Sequence, residues 1–345
     1  MLSRNCGPGP VRASQTGAAG MTKTVPRRSG RRSGSPWLGR ALGREETQLR
    51  NLPIRSAALT VVLAVTMTGC GFDDPTGPAA LSGAMTTAPV ATVAQRVVSL
   101  SPTATEILFA IGADKQVVAV DDQSNHPAGA PVTDLSGYTP NVESIASYDP
   151  DLVVASYDPG DLVAGLEALG VATLLQPAAA TIADTYDQVL ELGHATGRIA
   201  EAVGVNQRIR AGLAEIASSG AGAGLTYYHE IDNTFYTTTS STFLGQLYSL
   251  LGLSNIADPA DEVGFGWPQL SAEFIVDADP DLVFLGNAAW GESAETVAAR
   301  PGWGAMTAVR NRRVVPVDTD MSGRWGPRVV EFLAEVRAAI EGHAG

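Results

Sequence analysis

The sequence Pro150-Asp151-Leu152-Val153 recurs 130 residues later as Pro280-Asp281-Leu282-Val283, and this repeat decides the fold. A glutamate precedes each copy by seven residues, Glu143 in the first and Glu273 in the second. Each unit predicts a short helix that carries the glutamate, a tight turn at the Pro-Asp pair and a buried apolar strand. A duplicated unit of this kind predicts two similar lobes that face each other across a cleft.

Short β-branched runs alternate with amphipathic stretches around the two copies. The predicted strands lie at 97–100, 117–120, 152–155, 173–175, 225–228, 282–285 and 314–317. Strands that are separated by helices predict a mainly parallel α/β arrangement. Between the two sets of strands, 184–218 has apolar residues at helical spacing and no Pro, which predicts one long helix.

We therefore expect an α/β fold of two Rossmann-like lobes with a ligand cleft between them. The N-terminal lobe is expected at 94–183, the connecting helix at 184–219 and the C-terminal lobe at 220–345. The hydrophobic fraction of 45% and the charged fraction of 17% are typical of a globular protein with a substantial core. The only cysteines are Cys6 and Cys70, so the sequence offers no disulfide framework and no cysteine-based metal site.

The charge of the chain changes sign along its length. Residues 1–69 contain 11 Lys or Arg and 2 Asp or Glu, whereas the part from Cys70 onward contains 12 and 34, a net charge of about −22. So acidic a body repels phosphate backbones, which excludes nucleic acid as the expected partner. A neutral or cationic partner is favoured.

The N-terminal segment, 1–69, is predicted to be disordered and to end in an export signal. An apolar run at 57–67 follows Arg55 and ends in Met67-Thr68-Gly69-Cys70. As a helix the run would cover roughly 16 Å, which is short of the ~30 Å bilayer core. The final four residues resemble the bacterial lipobox, in which the cysteine is lipidated, so Cys70 is the expected lipidation site.

The segment 70–93 is rich in Gly, Pro, Thr and Ala and is predicted to be a flexible tether. We thus expect an exported protein that is lipid-anchored on the outer face of the cytoplasmic membrane, with no membrane contact beyond the anchor. The alternatives are a plain cleaved signal peptide with an incidental cysteine, and a twin-arginine signal at Arg27-Arg28. A true start at Met21 or later is a further alternative.

Four aromatic residues are predicted at loop positions next to strand or helix ends, where α/β sheets usually bind ligands. They are Tyr138, Tyr157, Tyr236 and Trp267. Each can bury about 150 Å², a gross gain of roughly 4 kcal/mol, so together they predict tight binding of a large, mostly uncharged molecule. The alternative for a single tyrosine is that it packs into the core of its own lobe.

The two glutamates have two interpretations. Near the start of a helix, a carboxylate stabilises the helix dipole by roughly 0.3–1 kcal/mol, which is sufficient to explain either one alone. Their matched positions in both units instead favour two acidic contacts, one per lobe, for basic residues of a partner. Arg324, in the polar loop after the last strand, is a candidate for holding a ligand carboxylate, phosphate or amide oxygen, with a salt bridge to Asp320 as the alternative.

Catalytic and metal sites are not predicted. The four histidines are scattered, and no nucleophile motif, phosphate-binding loop or dinucleotide fingerprint is present. His229, beside Glu230 after a strand, is the one candidate ligand for haem iron or a metal, which leaves a chelatase-like enzyme as a rival hypothesis. A surface scaffold without a small ligand is the third.

The stretch from Arg96 to Glu106, Arg-Val-Val-Ser-Leu-Ser-Pro-Thr-Ala-Thr-Glu, resembles the start of the helical-backbone class of ABC-importer substrate-binding proteins, which serves cobalamin, haem and ferric siderophores. The repeated Pro-Asp-Leu-Val elements carry the same resemblance. Within the class the chain is most similar to the cobalamin-binding proteins, through Trp267-Pro268-Gln269-Leu270-Ser271 and the segment 320–327. The resemblance implies a monomer without enzymatic turnover or cofactor, whose partners are an ABC permease and its ATPase.

The resemblance also implies roles for single residues. Asp320 and Arg324 are implied to lie in the pocket, and Glu143 and Glu273 to dock on permease arginines. The four aromatics are implied to contact a corrin ring: Tyr138, Tyr157, Tyr236 and Trp267. Gln123 stands where the cobalamin binders have a pocket aromatic, Tyr138 stands where they have Trp, and the loop before it is one residue shorter. Cobalamin is the expected ligand, and haem or a ferric siderophore stays open.

Overall fold

The computed structural model describes residues 92–342. The predictions for the export signal, for Cys70 and for all but the end of the tether lie outside the described residues. Within 92–342, no helix combines the length and the apolar character that crossing a membrane requires.

The N-terminal lobe is built on a parallel sheet of four strands in the order β2-β1-β3-β4. Its elements, in chain order, are β1 (Val97–Leu100), α1 (Pro102–Ala110), β2 (Val117–Val120), α2 (Val142–Ala146), β3 (Leu152–Ala155), α3 (Leu162–Glu167) and β4 (Ala172–Leu175). The inner strands β1 and β3 are buried along their whole length. A parallel sheet covered on both faces requires such continuous apolar strands.

The C-terminal lobe repeats this arrangement with the strand order β6-β5-β7-β8, again all parallel. Its elements are β5 (Thr226–Glu230), α6 (Phe243–Leu250), β6 (Ser254–Asn255), α7 (Ala272–Ala278), β7 (Leu282–Leu285), α8 (Ala294–Ala298), α9 (Thr307–Arg310), β8 (Val314–Pro316), α10 (Thr319–Ser322) and α11 (Val329–Gly342). The two α/β lobes confirm the predicted fold class.

The connecting segment contains two helices, so the prediction of one long helix at 184–219 is wrong. They are α4 (Ile182–Thr196) and α5 (Ile199–Ala217). Gly197 ends α4 with a positive φ of 70°, a conformation that glycine adopts without steric cost, and the chain reverses there. The helices then pack side by side, with the side chain of Asn206 donating to the carbonyl of Tyr186 over 2.8 Å.

The repeat seen in the sequence has the same structure in both lobes. Asn141 caps α2 and Ser271 caps α7, each through its side chain. One residue before each Pro-Asp pair, Asp149 and Asp279 turn the chain with positive φ angles of 51° and 44°. The repeated unit therefore specifies a helix start, a turn and the inner strand β3 or β7.

The second aspartate of each unit fastens the neighbouring strand. Asp151 accepts hydrogen bonds from the backbone N–H groups of Gln95 and Arg96, at 2.8 and 3.0 Å, just before β1. Asp281 accepts from the backbone N–H and the hydroxyl of Thr226 at the start of β5, at 2.9 and 3.0 Å. The two aspartates therefore hold the amino end of β1 beside β3 and the amino end of β5 beside β7.

One hydrophobic core extends through both lobes. It includes Val97 on β1, Val189 on α4, Ile209 on α5, Tyr227 on β5 and Phe332 on α11. Burial of apolar surface that is shared between lobes opposes their separation, because parting them would return that surface to water. One smaller hydrophobic cluster lies on the other face of each sheet.

Candidate functional site

A cleft of about 570 Å³ lies where the carboxyl ends of the N-terminal strands meet the C-terminal lobe. Its walls come from the residues that follow β1, β2, β3 and β4, and from α10 and the loop after it. The volume is within the range of small-molecule sites, and the carboxyl edge of a parallel sheet is their usual place.

Five of the seven predicted ligand-binding residues line this cleft. They are Gln123, Tyr138, Tyr157, Asp320 and Arg324. The rings of Tyr138 and Tyr157 have centroids 6.4 Å apart and planes inclined by 50°. Tyr138 is 70% exposed and Tyr157 44% exposed, so neither packs into the core of its lobe. Desolvation and the neighbouring Tyr138 raise the pKa of Tyr157, which keeps its phenol neutral.

The other two predicted residues, Tyr236 and Trp267, do not line the cleft. Both belong to the C-terminal lobe, and Tyr236 forms an isolated antiparallel bridge with Gln269. They are 43% and 42% exposed and follow the carboxyl ends of β5 and β6. Thr319, which lines the cleft, donates to the carbonyl of Gly286 after β7 at 2.8 Å, so the cleft meets the same edge of this sheet.

The sequence reasoning missed three further exposed apolar residues at this edge, Val263, Phe265 and Trp290. The first two lie in the loop between β6 and α7, and Trp290 follows β7. Their position in the sequence could have identified them, because Val263 and Phe265 follow the short strand β6 and Trp290 follows the predicted strand β7. Together with Tyr236 and Trp267 they give the C-terminal lobe an apolar, solvent-exposed rim.

Arg324 is held by protein acceptors, and the salt bridge to Asp320, its alternative interpretation, is present. Its Nη1 donates to Glu106 Oε1 at 2.8 Å and to Asn125 Oδ1 at 3.0 Å. Its Nη2 donates to the Gln123 carbonyl and pairs with Asp320 Oδ1, both at 3.0 Å. Three of the four N–H groups on the terminal nitrogens therefore donate hydrogen bonds, and the contact with Asp320 is an ion pair. Arg324 thus lines the cleft with its charge paired by Glu106 and Asp320.

Glu106 is the centre of a buried ionic network between the lobes. It lies on α1 and binds both Arg324 and Arg328, which precede α11. The hydrogen bonds that Arg328 donates to Glu106 raise the pKa of Arg328. Nearby, the indole N–H of Trp325 donates to Gln188 Oε1 on α4 at 2.7 Å. The loop after α10 is thus anchored on the N-terminal lobe, which fixes one wall of the cleft.

The cleft has an unbalanced set of charges. Of the described residues that line it, Arg324 is the only cation, whereas Asp121 and Asp320 are both acidic. Asp121 directly follows β2, and burial raises the pKa of its carboxyl group. An anionic ligand would therefore meet carboxylates and an arginine whose terminal donors are already engaged. The arrangement favours a neutral or cationic ligand.

Glu143 and Glu273 are both solvent-exposed, and each is the second residue of its helix, α2 or α7. Neither side chain has a hydrogen-bond or ion-pair partner within the described part of the chain. Each helix leads into a parallel strand and runs antiparallel to it, so its N-terminus lies at the carboxyl edge of the sheet. That is the edge that bears the cleft in the N-terminal lobe.

His229 and Glu230 lie in the core of the C-terminal lobe and not in the cleft. Burial lowers the pKa of His229 to about 4, and its Nδ1 contacts the hydroxyl of Tyr248 at 3.0 Å. Both carboxylate oxygens of Glu230 bind Arg300, at 2.6 and 2.7 Å, and Oε1 also accepts from Asn287. The hypothesis of a metal or acid–base pair here is wrong, because both side chains are structural.

The comparisons with known proteins agree with this geometry. A cobalamin-binding protein of Halobacterium salinarum is 31% identical over 258 residues, which cover 71% of this chain and 69% of the relative. The uncharacterized ABC transporter substrate-binding lipoprotein YvrC of Bacillus subtilis is 29% identical over 257 residues, which cover 71% and 80%. A possible iron-binding (periplasmic solute-binding) protein from Staphylococcus epidermidis superposes with a TM-score of 0.62 and 26% identity, over 72% of this chain and 98% of the other.

These similarities confirm the resemblance and the expectation of a binding protein rather than an enzyme. The model of the periplasmic binding protein family matches residues 97–321. Because that match extends from β1 into α10 and includes both sheets and most of the cleft lining, the chain belongs to the periplasmic binding protein family.

Proposed function

We propose that this protein captures cobalamin or a related corrinoid outside the cytoplasm and delivers it to an ABC permease and its ATPase. The observation that carries the proposal is a cleft with exposed aromatic faces and no free positive charge on its described walls. The similarity to a cobalamin-binding protein supports it. Its broader part, a binding protein without turnover, follows from the family.

The ligand preference follows from the charges of the cleft. Haem carries carboxylates and ferric catecholates are strongly anionic, so either would compete with Glu106 and Asp320 for Arg324 and would meet the carboxyl group of Asp121. The side chain of Glu106 is only 2% exposed, and displacing it from this buried ion pair is unfavourable, because its charge is left without compensation. A corrinoid carries neutral carboxamides around a broad ring, and its faces can pack on Tyr138 and Tyr157. The cleft therefore suits it better than the anionic iron carriers.

Delivery is assigned to the exposed glutamates. Glu143 and Glu273 are free of partners within 92–342 and occupy equivalent positions in the two lobes. Exposed carboxylates contribute little affinity each but steer encounter and fix orientation on a basic surface. A monomer tethered through lipid on Cys70 would present one glutamate from each lobe to the permease at the outer face of the membrane.

A ferric siderophore or haem is the second candidate. The iron-binding description of the Staphylococcus epidermidis protein favours it, as does the pair of tyrosines in the cleft, because phenolate oxygen is a ligand of iron in some haem proteins. The carboxyl groups of Asp121 and Asp320 in the cleft act against this candidate, because they disfavour an anionic siderophore or the carboxylates of haem.

Calorimetric titration of the purified protein separates the candidates. Cyanocobalamin is expected to bind at one site with a dissociation constant of about 1 μM or lower, and haem and a ferric catecholate at least ~100-fold more weakly. Trp325 lines the cleft, so its fluorescence provides a second readout. Tight binding of haem or the catecholate without binding of cyanocobalamin would replace the proposed ligand with the second candidate.

A further inference from the structure

Asp121 is a buried carboxyl group in the wall of the cleft that neither the sequence reasoning nor the comparisons assign to a task. It directly follows β2, only 2% of it is exposed, and its backbone N–H donates to the carbonyl of Ser99 at 3.0 Å. Ser124 favours the ionised form and opposes the rise in the pKa of the carboxyl group, yet Oδ1 is buried and has no hydrogen-bond partner among residues 92–342. Buried polar atoms are nearly always paired, so an unpaired oxygen in a ligand cleft needs an explanation.

The group is held rigidly against the aromatic wall. Gly137 lies so close that a Cβ atom there would be 2.6 Å from the carbonyl oxygen of Leu100 and 2.9 Å from Asp121 Oδ2. Only glycine fits this approach, and the next residue is Tyr138, one of the two cleft tyrosines. The Asp121 carboxyl group therefore lies against the backbone of the residue that precedes Tyr138.

No cation within the described residues neutralises the Asp121 carboxyl group through direct contact. Arg324 is the cation that influences it, but the terminal N–H groups of Arg324 are engaged by Glu106, Asn125, Gln123 and Asp320. Burial and the neighbouring Asp122 both raise the pKa of Asp121. The free protein thus contains an acceptor whose hydrogen-bonding capacity is not used.

We propose that Asp121 is a specificity-determining residue, whose carboxyl group accepts a hydrogen bond from an N–H group of the bound ligand. For the corrinoid of the proposed function, on which this inference rests, that group is a side-chain carboxamide. A carboxylate at the same place on the ligand would face like charge and provide no donor. The subsite selects amides against acids.

Two serines in the same cleft suit the carbonyl oxygen of a carboxamide whose N–H group binds Asp121. Ser101 and Ser156 also line the cleft, and the Ser156 hydroxyl donates to the Ser101 hydroxyl at 2.9 Å. A hydroxyl can donate and accept at once, so Ser101 can turn its own proton toward an amide carbonyl. A group with both N–H donors and a C=O acceptor matches this combination of a fixed acceptor and adaptable hydroxyls.

The chain offers a matched control beside Asp121. Asp122 is exposed, and its backbone N–H donates to the Leu135 carbonyl at 2.8 Å, so Asp122→Asn removes the same charge one residue away and outside the cleft lining. The probes are cyanocobalamin and its monocarboxylic acid derivatives, each with one side-chain amide hydrolysed. Binding is measured by calorimetry for the wild type, Asp121→Asn, Asp121→Ala and Asp122→Asn, and thermal melting checks that each variant folds.

The wild type and Asp122→Asn are expected to bind at least one monocarboxylic derivative about 10-fold or more weakly than cyanocobalamin. In Asp121→Asn and Asp121→Ala that difference is expected to fall to about threefold or less. Equal binding of all derivatives by the wild type, or an undiminished preference in both Asp121 variants, would overturn the inference and leave the proposed function intact. A wild type that does not bind cyanocobalamin would overturn the proposed function and this inference with it.

Discussion

The two lobes share a scaffold and differ at the edge that meets the ligand. In both, a capped helix with an exposed glutamate, an aspartate turn and a buried strand recur at the same spacing. Above this scaffold the N-terminal lobe has a polar and aromatic surface that includes Asp121 and Tyr138. The C-terminal lobe places an open apolar rim that includes Phe265 and Trp267.

The comparison separates the features that the two copies of the repeated unit share from those in which they differ. The glutamate, the turn and the inner strand are the same in both halves, which fits a task that requires both halves alike, such as contact with one transporter. The residues after the strands differ, which fits a single ligand that has unlike sides. Under the proposed function, the shared features would serve delivery and the unequal edges would serve recognition of the ligand.

The largest effect is expected from reversing charge on the common surface. The double variant Glu143→Lys/Glu273→Lys should abolish uptake in cells, because two basic side chains would face a basic docking surface, while ligand affinity stays unchanged. Uptake assays and calorimetry measure the two quantities. Glu167→Lys, an exposed glutamate at the end of α3, is the control and should transport normally. Normal uptake by the double variant would show that the two glutamates only stabilise the N-terminal ends of α2 and α7.

The stability of the contact between the lobes is expected to depend on Glu106. Glu106→Gln leaves Arg324 and Arg328 without their shared buried partner and should lower the free energy of unfolding by about 3–5 kcal/mol. Chemical denaturation measures the change. Glu201→Gln removes the exposed pair with Arg198 and should cost about 1 kcal/mol or less. Similar losses in both variants would mean that the network contributes no more than a surface pair.

The N-terminal recognition surface should contribute to ligand affinity. Tyr138→Ala/Tyr157→Ala removes both rings from the cleft and should weaken binding of cyanocobalamin about 10-fold or more. Calorimetry measures the affinity, and Tyr186→Ala, on α4 and stacked on Arg210, is the control. Unchanged affinity in the double variant would place the ligand outside this cleft.

The smallest effect concerns the stability cost of Asp121. Burial raises the pKa of this carboxyl group most, and the neighbouring carboxylate of Asp122 raises it further. Ser124 and Arg324 lower the pKa, and Asp320 is the other carboxylate that lines the cleft. The folded chain therefore binds this proton more tightly than the unfolded chain, so this contribution to stability falls as the pH rises through the carboxyl range.

Asp121→Asn should remove that cost, raising the free energy of unfolding by about 1 kcal/mol at neutral pH. The gain should disappear below about pH 3.5, where the carboxyl group is protonated in both states. Urea denaturation at several pH values measures it, with Asp187→Asn, at an exposed residue of α4, as the control. A loss of stability at neutral pH would mean that the Asp121 carboxylate is stabilising and that its free oxygen is not held for a ligand.

Most of the fold could be predicted from the sequence, and the failures have physical reasons. Seven strands were predicted because each is a continuous apolar run, whereas β6 has only two residues and no pattern of its own. The connecting segment was predicted as one helix because its apolar spacing is continuous. Gly197 reverses the chain there, but a glycine in a helical pattern does not by itself reveal its φ angle.

The site could be predicted in part. Aromatics at strand ends identified Tyr138 and Tyr157, because position after a parallel strand is readable from the pattern. The engagement of Arg324 by Glu106 was not predictable, since the two are 218 residues apart and meet only through the fold. Asp121 was missed for a related reason: an aspartate after a strand is common, and only the structure shows that its oxygen is buried and unpaired.

A crystal structure of the protein with bound cyanocobalamin tests the central claim most directly, since that claim is that two unequal lobes hold one neutral ligand. The corrin ring is expected to lie between Tyr138 and Tyr157 of one lobe and Tyr236 and Trp267 of the other. Glu143 and Glu273 are expected to remain exposed on the same side of the molecule. A ligand that contacts one lobe alone, or glutamates that point to opposite sides, would contradict the account.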